Sequence, residues 1–188
     1  ETFGSVDFGL DSFGANDIAV DYNTGTSGDS AVRVMLHSDS LENHRDHYDG
    51  TRLGFNPTIK IKMNESTTLD LSYEHADHER YIDRGVPTEN GEPVERFEKI
   101  TFGGDDNLTT LKANILRATL SKVFSDTRKG NLSIVSSDFE KMYKNYYASG
   151  YTAGATVVTM DGYLDPTERE NTIISGNIVN EVGNHTLL

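Results

Sequence analysis

Cysteine and tryptophan are both absent from this chain of 188 residues. The first absence excludes a disulfide framework and any thiolate metal site, and it leaves the cellular compartment unreadable from thiols. Long hydrophobic runs are also missing: nowhere do the roughly 18 consecutive apolar residues of a membrane helix occur, so a helical span is excluded. A strand-built span is not, because a barrel strand shows lipid only every second residue. Bases are scarce as well, 17 against 30 acids for a formal charge of -13, with no basic cluster. That balance argues against nucleic acid as a partner. No signal-peptide pattern opens the chain at Glu1, which gives the expectation of a processed or truncated sequence.

What is present is period-two alternation. Between residues 52 and 63, Leu53, Phe55, Pro57, Ile59, Ile61 and Met63 fall on one face, and Arg52, Gly54, Asn56, Thr58, Lys60 and Lys62 on the other. Residues 68–75 repeat it with Leu69, Leu71 and Tyr73 opposite Asp70, Ser72 and Glu74, as do residues 16–22 and 31–37. Further strands are expected over 108–124, 131–147 and 171–182, the first with a change of phase near Ile115 that suggests a bulge. A last strand begins at His185. The chain reads as all-β, an antiparallel up-and-down meander of about eight to nine strands.

Connections alternate in length. Residues 23–29, 64–67, 125–130 and 183–184 suit tight turns. Residues 38–51, 76–107 and 148–170 form long polar loops, the last two well beyond ordinary hairpin connections. Short turns at one rim and long loops at the other are the asymmetry of a bacterial outer-membrane barrel, and the strand lengths meet the ~9 to 11 residues that a tilted span requires. A soluble β-sandwich would alternate in the same way, with the same apolar residues as its core, but its strands are usually ~5 to 6 residues. Polarity alone does not separate the two readings.

The order of local motifs resembles the N-terminal part of the barrel of TonB-dependent siderophore receptors. It consists of Ala31-Val32-Arg33, an S-x-R-D type loop over residues 40–46, and R-x-G-x-x-P at Arg52, Gly54 and Pro57. There follow T-T-L-x-L-x-Y-x-H over 67–75, D-R-G-x-P at 83–87, G-x-P at 91–93, F-G before acids at 102–106, and H-T-L-L at 185–188. Residues 7–15 depart from it, being longer than the usual first hairpin. The resemblance implies that residues 1–188 are a partial segment of a transmembrane barrel of about 22 strands. It implies location in the outer membrane of a Gram-negative bacterium, with lipid around the wall and no plug domain within this stretch. Implied partners are a ferric siderophore and, through that absent plug domain, the TonB complex. No resident cofactor is expected, since iron would arrive as its siderophore complex. The alternatives are a passive porin-like channel and a soluble β-sandwich binding module.

Ligand capture in this reading falls to aromatic and basic side chains at the external mouth: Arg80, Tyr81 and Arg84 around the D-R-G-x-P motif, and Tyr143, Tyr146, Tyr147 and Tyr151 where a strand leaves the membrane. The rival account of the tyrosines is an interfacial aromatic girdle, and that of Arg84 an ion pair with Asp83 or another loop acid. His44-Arg45-Asp46-His47 and His75-Ala76-Asp77-His78 share the spacing H-x-D-H, but in extended chain residues three apart point to opposite faces, so no metal site is expected. Asp105-Asp106 and Asp77 with Glu79 read as solvated acids, and no catalytic constellation accompanies them. An enzyme is not expected.

Overall fold

A computed structural model describes residues 1–105, 107–183 and 185–187. Asp106 and Leu188, each belonging to a sequence motif above, and Asn184, in the turn expected at 183–184, lie outside the described residues. The chain forms β1 (Phe3–Leu10), β2 (Asn16–Ser27), β3 (Ser30–Glu42), β4 (Asp49–Asn64) and β5 (Thr67–Tyr81). A small hairpin of β6 (Thr88–Glu89) and β7 (Glu92–Pro93) and a single 3-10 turn (Glu95–Phe97) follow. The chain then continues as β8 (Leu108–Ser125), β9 (Arg128–Gly150), β10 (Thr159–Val182) and β11 (His185–Leu187). Apart from the β6–β7 hairpin, the described strands make one nine-stranded sheet in the order β1-β2-β3-β4-β5-β8-β9-β10-β11, antiparallel throughout.

Cross-strand pairing turns the sequence alternation into two continuous surfaces. Val32 pairs Ile59, Ile59 pairs Leu71, Leu71 pairs Ala118, Ala118 pairs Ile134 and Ile134 pairs Ile174, an unbroken apolar row across six strands. One step along, Ile61, Leu69, Leu120, Leu132 and Gly176 form a second row. Nothing covers these rows: Leu132, Ile134 and Ile174 are half or more exposed or close to it, and the buried apolar side chains among the described residues are Tyr81, Ile82 and Ala113. A sandwich hides its apolar face against a second sheet. Here a single sheet leaves that face open, so the sandwich reading is overturned and the solvent that suits the face is lipid.

The opposite face is polar and cross-linked by ion pairs between neighbouring strands: Arg33–Asp21 at 2.6 Å, Arg52–Asp39 at 2.7 Å, Lys60–Asp70 at 3.3 Å and Arg117–Glu74 at 3.2 Å. These exposed pairs each contribute at most about 1 kcal/mol, so their meaning is that this face is wet. It is the inner, luminal face of a wide barrel wall.

The two rims differ as expected, more sharply than the sequence showed. On one rim the connections among the described residues are two residues each, at 28–29, 65–66 and 126–127. Gly28 takes φ 61°, and the Asn64 side-chain oxygen accepts from the Ser66 N–H at 3.0 Å. Each of three turns is stitched to the next hairpin, Lys62 N–H donating to Asp29 O, Val123 N–H to Ser66 O and Glu181 N–H to Thr127 O, all within 2.8 Å. On the other rim the connections are residues 11–15, 43–48, 82–107 and 151–158.

Three expectations are corrected. The loops at 38–51 and 148–170 are much shorter, because β3 runs on to Glu42, β9 to Gly150, and β10 starts at Thr159. These polar stretches are strand beyond the apolar band. No bulge occurs at Ile115, which keeps register with Glu74 and Ser137; the irregularity of β8 falls between Val123 and Ser125. The phase change is a change of surroundings: past Leu116 the outward positions become Asn114 and Lys112, opposite Asp138 and Glu140 on β9, which in turn face Glu170 and Glu168 on β10. All three strands change from an apolar to a polar and charged outer face at one height. The 7–15 segment resolves into β1 and a turn in which Asp11 accepts from the N–H groups of Phe13 and Ala15.

Candidate ligand site at the outer mouth

β9 is 23 residues long and β10 is 24, more than twice a tilted span, so both project far beyond the long-loop rim. Alternation on that projection puts Lys141, Tyr143, Asn145 and Tyr147 on the luminal face, in phase with Ser133, and Met142 and Tyr146 on the outer face. From β10, Tyr163 pairs with Asn145 and so joins the luminal group. Tyr143 and Tyr163 stack, their ring centroids 5.4 Å apart and 17° from parallel. Arg84, from the 82–107 loop, lies 4.9 Å over the Tyr147 ring and reaches the Tyr163 hydroxyl at 3.5 Å. The Tyr143 hydroxyl beside it raises the guanidinium above its already high ordinary value, so Arg84 is a fixed cation.

Two buried polar residues hold this loop in place. Asn107 is fully buried, and its side chain mimics a strand partner for β9: Oδ1 accepts from the Tyr146 N–H at 2.8 Å, and Nδ2 donates to the Tyr146 carbonyl at 2.8 Å. A Cβ on Gly103 would sit 2.0 Å from that side chain, so only glycine allows the approach. Arg45, in the 43–48 loop, donates to the Glu98 carbonyl at 2.7 Å and the Ile100 carbonyl at 2.6 Å, and pairs with Asp83. Asp83 also accepts from the Gly85 N–H at 2.9 Å, which shapes the D-R-G turn that presents Arg84.

Of the seven residues expected at the mouth, Arg84, Tyr143 and Tyr147 come together. Arg80 lines the same luminal depression as Tyr143. Tyr146 faces outward, Tyr81 is buried at the end of β5, and Tyr151 packs between loops. There it stands edge-on to Phe97 at 5.7 Å, with Arg96 bonded to its hydroxyl. Asp83 pairs with Arg45 and leaves Arg84 to the tyrosines. A girdle position does not describe Tyr143, nine residues beyond Ile134, the last apolar outward side chain of β9 before Ser136, and so roughly 30 Å further along the strand. Among the described residues no group of three or more potential metal ligands converges. His75 and His78 point to opposite faces of β5, and His44 and His47 contact Phe13 and Asp105 respectively.

Lys141, Tyr163 and Asn107 went unread, and Arg52, His78 and Arg45 were read only within their motifs and not as parts of the mouth. The period-two count that put Lys60 and Glu74 on the polar face also puts Arg52 and His78 there. Tyr163 was hidden in Asp-Gly-Tyr-Leu-Asp-Pro, a loop-like composition that folds as strand. Its Pro166 sits where β10 pairs with β9 alone in the described structure.

No family model matches the chain, and no curated protein matches it in sequence. Solved structures do. The open form of the ferric-catecholate import receptor Fiu from E. coli K12 superposes with a TM-score of 0.78 over 96% of this chain and 31% of its own, at 14% identity. FpvA of P. aeruginosa, in complex with a heterologous ferric pyoverdine, gives 0.81 over 98% and 26%, at 13% identity. The ferripyoverdine receptor of the outer membrane of Pseudomonas aeruginosa, bound to ferripyoverdine, gives 0.80 over 96% and 25%, at 14% identity. The chain spans about a quarter to a third of the length of these structures, and by fold it corresponds to a sector of the β-barrel of iron-siderophore receptors.

Proposed function

We propose that this chain is part of the wall and external mouth of an outer-membrane receptor that imports ferric siderophores, with energy delivered by the TonB complex through a plug domain elsewhere in the same protein. The observation that carries the reading is a meander with an uncovered apolar outer face, matched over nearly its whole length by receptors whose ligands are ferric complexes. The long-loop rim adds a luminal cluster of strand-borne tyrosines with Arg84 from the 82–107 loop, the kind of surface that grips a compact, polar, ring-bearing ligand. The luminal ion pairs suit a hydrated interior, and the outer rows suit lipid.

The test is uptake of radioactive iron, presented as siderophore complexes, by iron-starved cells in which the full-length receptor is the sole one expressed. Uptake that stops when the proton gradient is collapsed or TonB is deleted supports the reading. Uptake insensitive to both, or entry of unrelated small solutes at the same rate, would instead establish a passive channel.

A further inference from the structure

Beside the Tyr143–Tyr163 stack, the luminal face of β4, β5, β8 and β9 encloses a depression of ≈ 520 Å³ lined by Arg52, His78, Arg80, Leu111, Lys141 and Tyr143. Its charge runs against that of the chain. Arg52 is balanced by Asp39 at 2.7 Å and Lys141 by Asp165 at 3.3 Å, whereas Arg80 has no acidic partner among the described residues. The depression therefore carries a net positive charge, through Arg80, on a chain whose formal charge is -13. Lys141 also lies 5.7 Å from the Tyr143 ring centroid, so cation and aromatic face occur together.

We propose that this depression is a subsite for anionic, catechol-bearing ferric complexes, which deepens the siderophore reading and rests on it. Three catecholates supply six phenolate oxygens to a trivalent ion and leave the complex negatively charged, whereas three hydroxamates leave it neutral. A negative complex gives Arg80 the counter-charge it lacks and allows charge-assisted hydrogen bonds from Arg80 and Lys141 to phenolate oxygens. Its flat rings fit against Tyr143 and Leu111 and within reach of the guanidinium groups. A neutral complex would desolvate the same cations without compensation. On a chain of formal charge -13, a local positive patch favours the approach and dwelling of an anionic ligand.

The experiment is equilibrium binding of an iron triscatecholate and an iron trihydroxamate to the purified full-length receptor in detergent, with Arg80→Gln, Arg80→Lys and Lys141→Gln alongside. Heat-dependent gel mobility checks that each variant is a closed barrel. The triscatecholate is expected to bind at least about tenfold more tightly, and to lose about tenfold on Arg80→Gln, with Lys141→Gln weaker in effect and Arg80→Lys largely restored. Trihydroxamate binding is expected not to respond to these changes. Equal or tighter binding of the trihydroxamate, or indifference of the triscatecholate to Arg80→Gln in a folded receptor, overturns the subsite and leaves the siderophore function standing. Failure of both complexes to bind overturns the subsite, while the uptake experiment above decides the siderophore function separately.

Discussion

Asn107 and Arg45 show how single side chains can position a loop of 26 residues. Asn107 satisfies both backbone groups of Tyr146, so Asn107→Ala would leave a half-buried N–H and C=O without that partner at a cost of about 1–3 kcal/mol. Amide exchange should accelerate at Tyr146 and through residues 82–107, while the amides of residues 116–122 on β8 remain protected. Arg45 and Asp83 are both nearly buried, with side-chain exposures of 10% and 11%. Arg45→Met alone would strand the Asp83 carboxylate at a cost of about 3–5 kcal/mol, and adding Asp83→Leu should recover much of it. Relative rates of protease cleavage within 82–107 in the single and double variants measure that coupling. Neither residue was legible in the sequence. Asn107 looked like any polar residue before a strand, and Arg45 sat inside an H-x-D-H pattern whose histidines drew the attention. Both act through contacts 38 or more residues away, which no local pattern encodes.

At the scale of the strand, the sequence was most informative where two surroundings stay fixed along its length. From Leu53 to Met63 one face meets lipid and the other water, so alternation is clean and β4 was read almost to its ends. β8, β9 and β10 cross from lipid into water partway along, and there the rule inverts: Asp138, Glu140, Glu168 and Glu170 stand outward, in phase with Leu132 and Ile174. Composition then looks like loop while the backbone remains strand, which is why loops were overestimated and a bulge was expected at Ile115. The face assignment itself is testable at adjacent positions. Ile134→Lys, on the lipid row, should destabilise the receptor in liposomes by about 2–4 kcal/mol in a denaturant titration. Ser133→Lys, on the luminal row one residue away, should cost only about 1 kcal/mol, for the hydrogen bond between its hydroxyl and that of Thr119 at 2.9 Å. Equal effects at the two positions would mean the faces are wrongly assigned.

At the scale of the whole molecule, the low hydrophobic fraction of 35% and the charge of -13 suit the proposed barrel wall, in which only one face, over part of its height, would meet lipid. The rest of each strand, the lumen and the long-loop rim are aqueous. The all-β meander and the unequal rims were therefore legible from spacing, the barrel only with the order of motifs added, and the mouth not at all, because it is assembled by β4, β5, β8, β9 and β10 together. Sequence reasoning found the tyrosines of one strand and could not divide Tyr143 and Tyr147 from Tyr146 until register was known. The absence of cysteine from this stretch makes the central claim, a wall with lipid on one face and water on the other, open to direct measurement. Single cysteines placed at 131 to 140 in the full-length receptor, spin-labelled and reconstituted in bilayers, report accessibility to dissolved oxygen and to a water-soluble nickel chelate. The account predicts oxygen maxima at 132 and 134, chelate maxima at 131, 133 and 135, and loss of the oxygen signal from 138 onward. Uniform access to the chelate at every position, with no period of two, would contradict it.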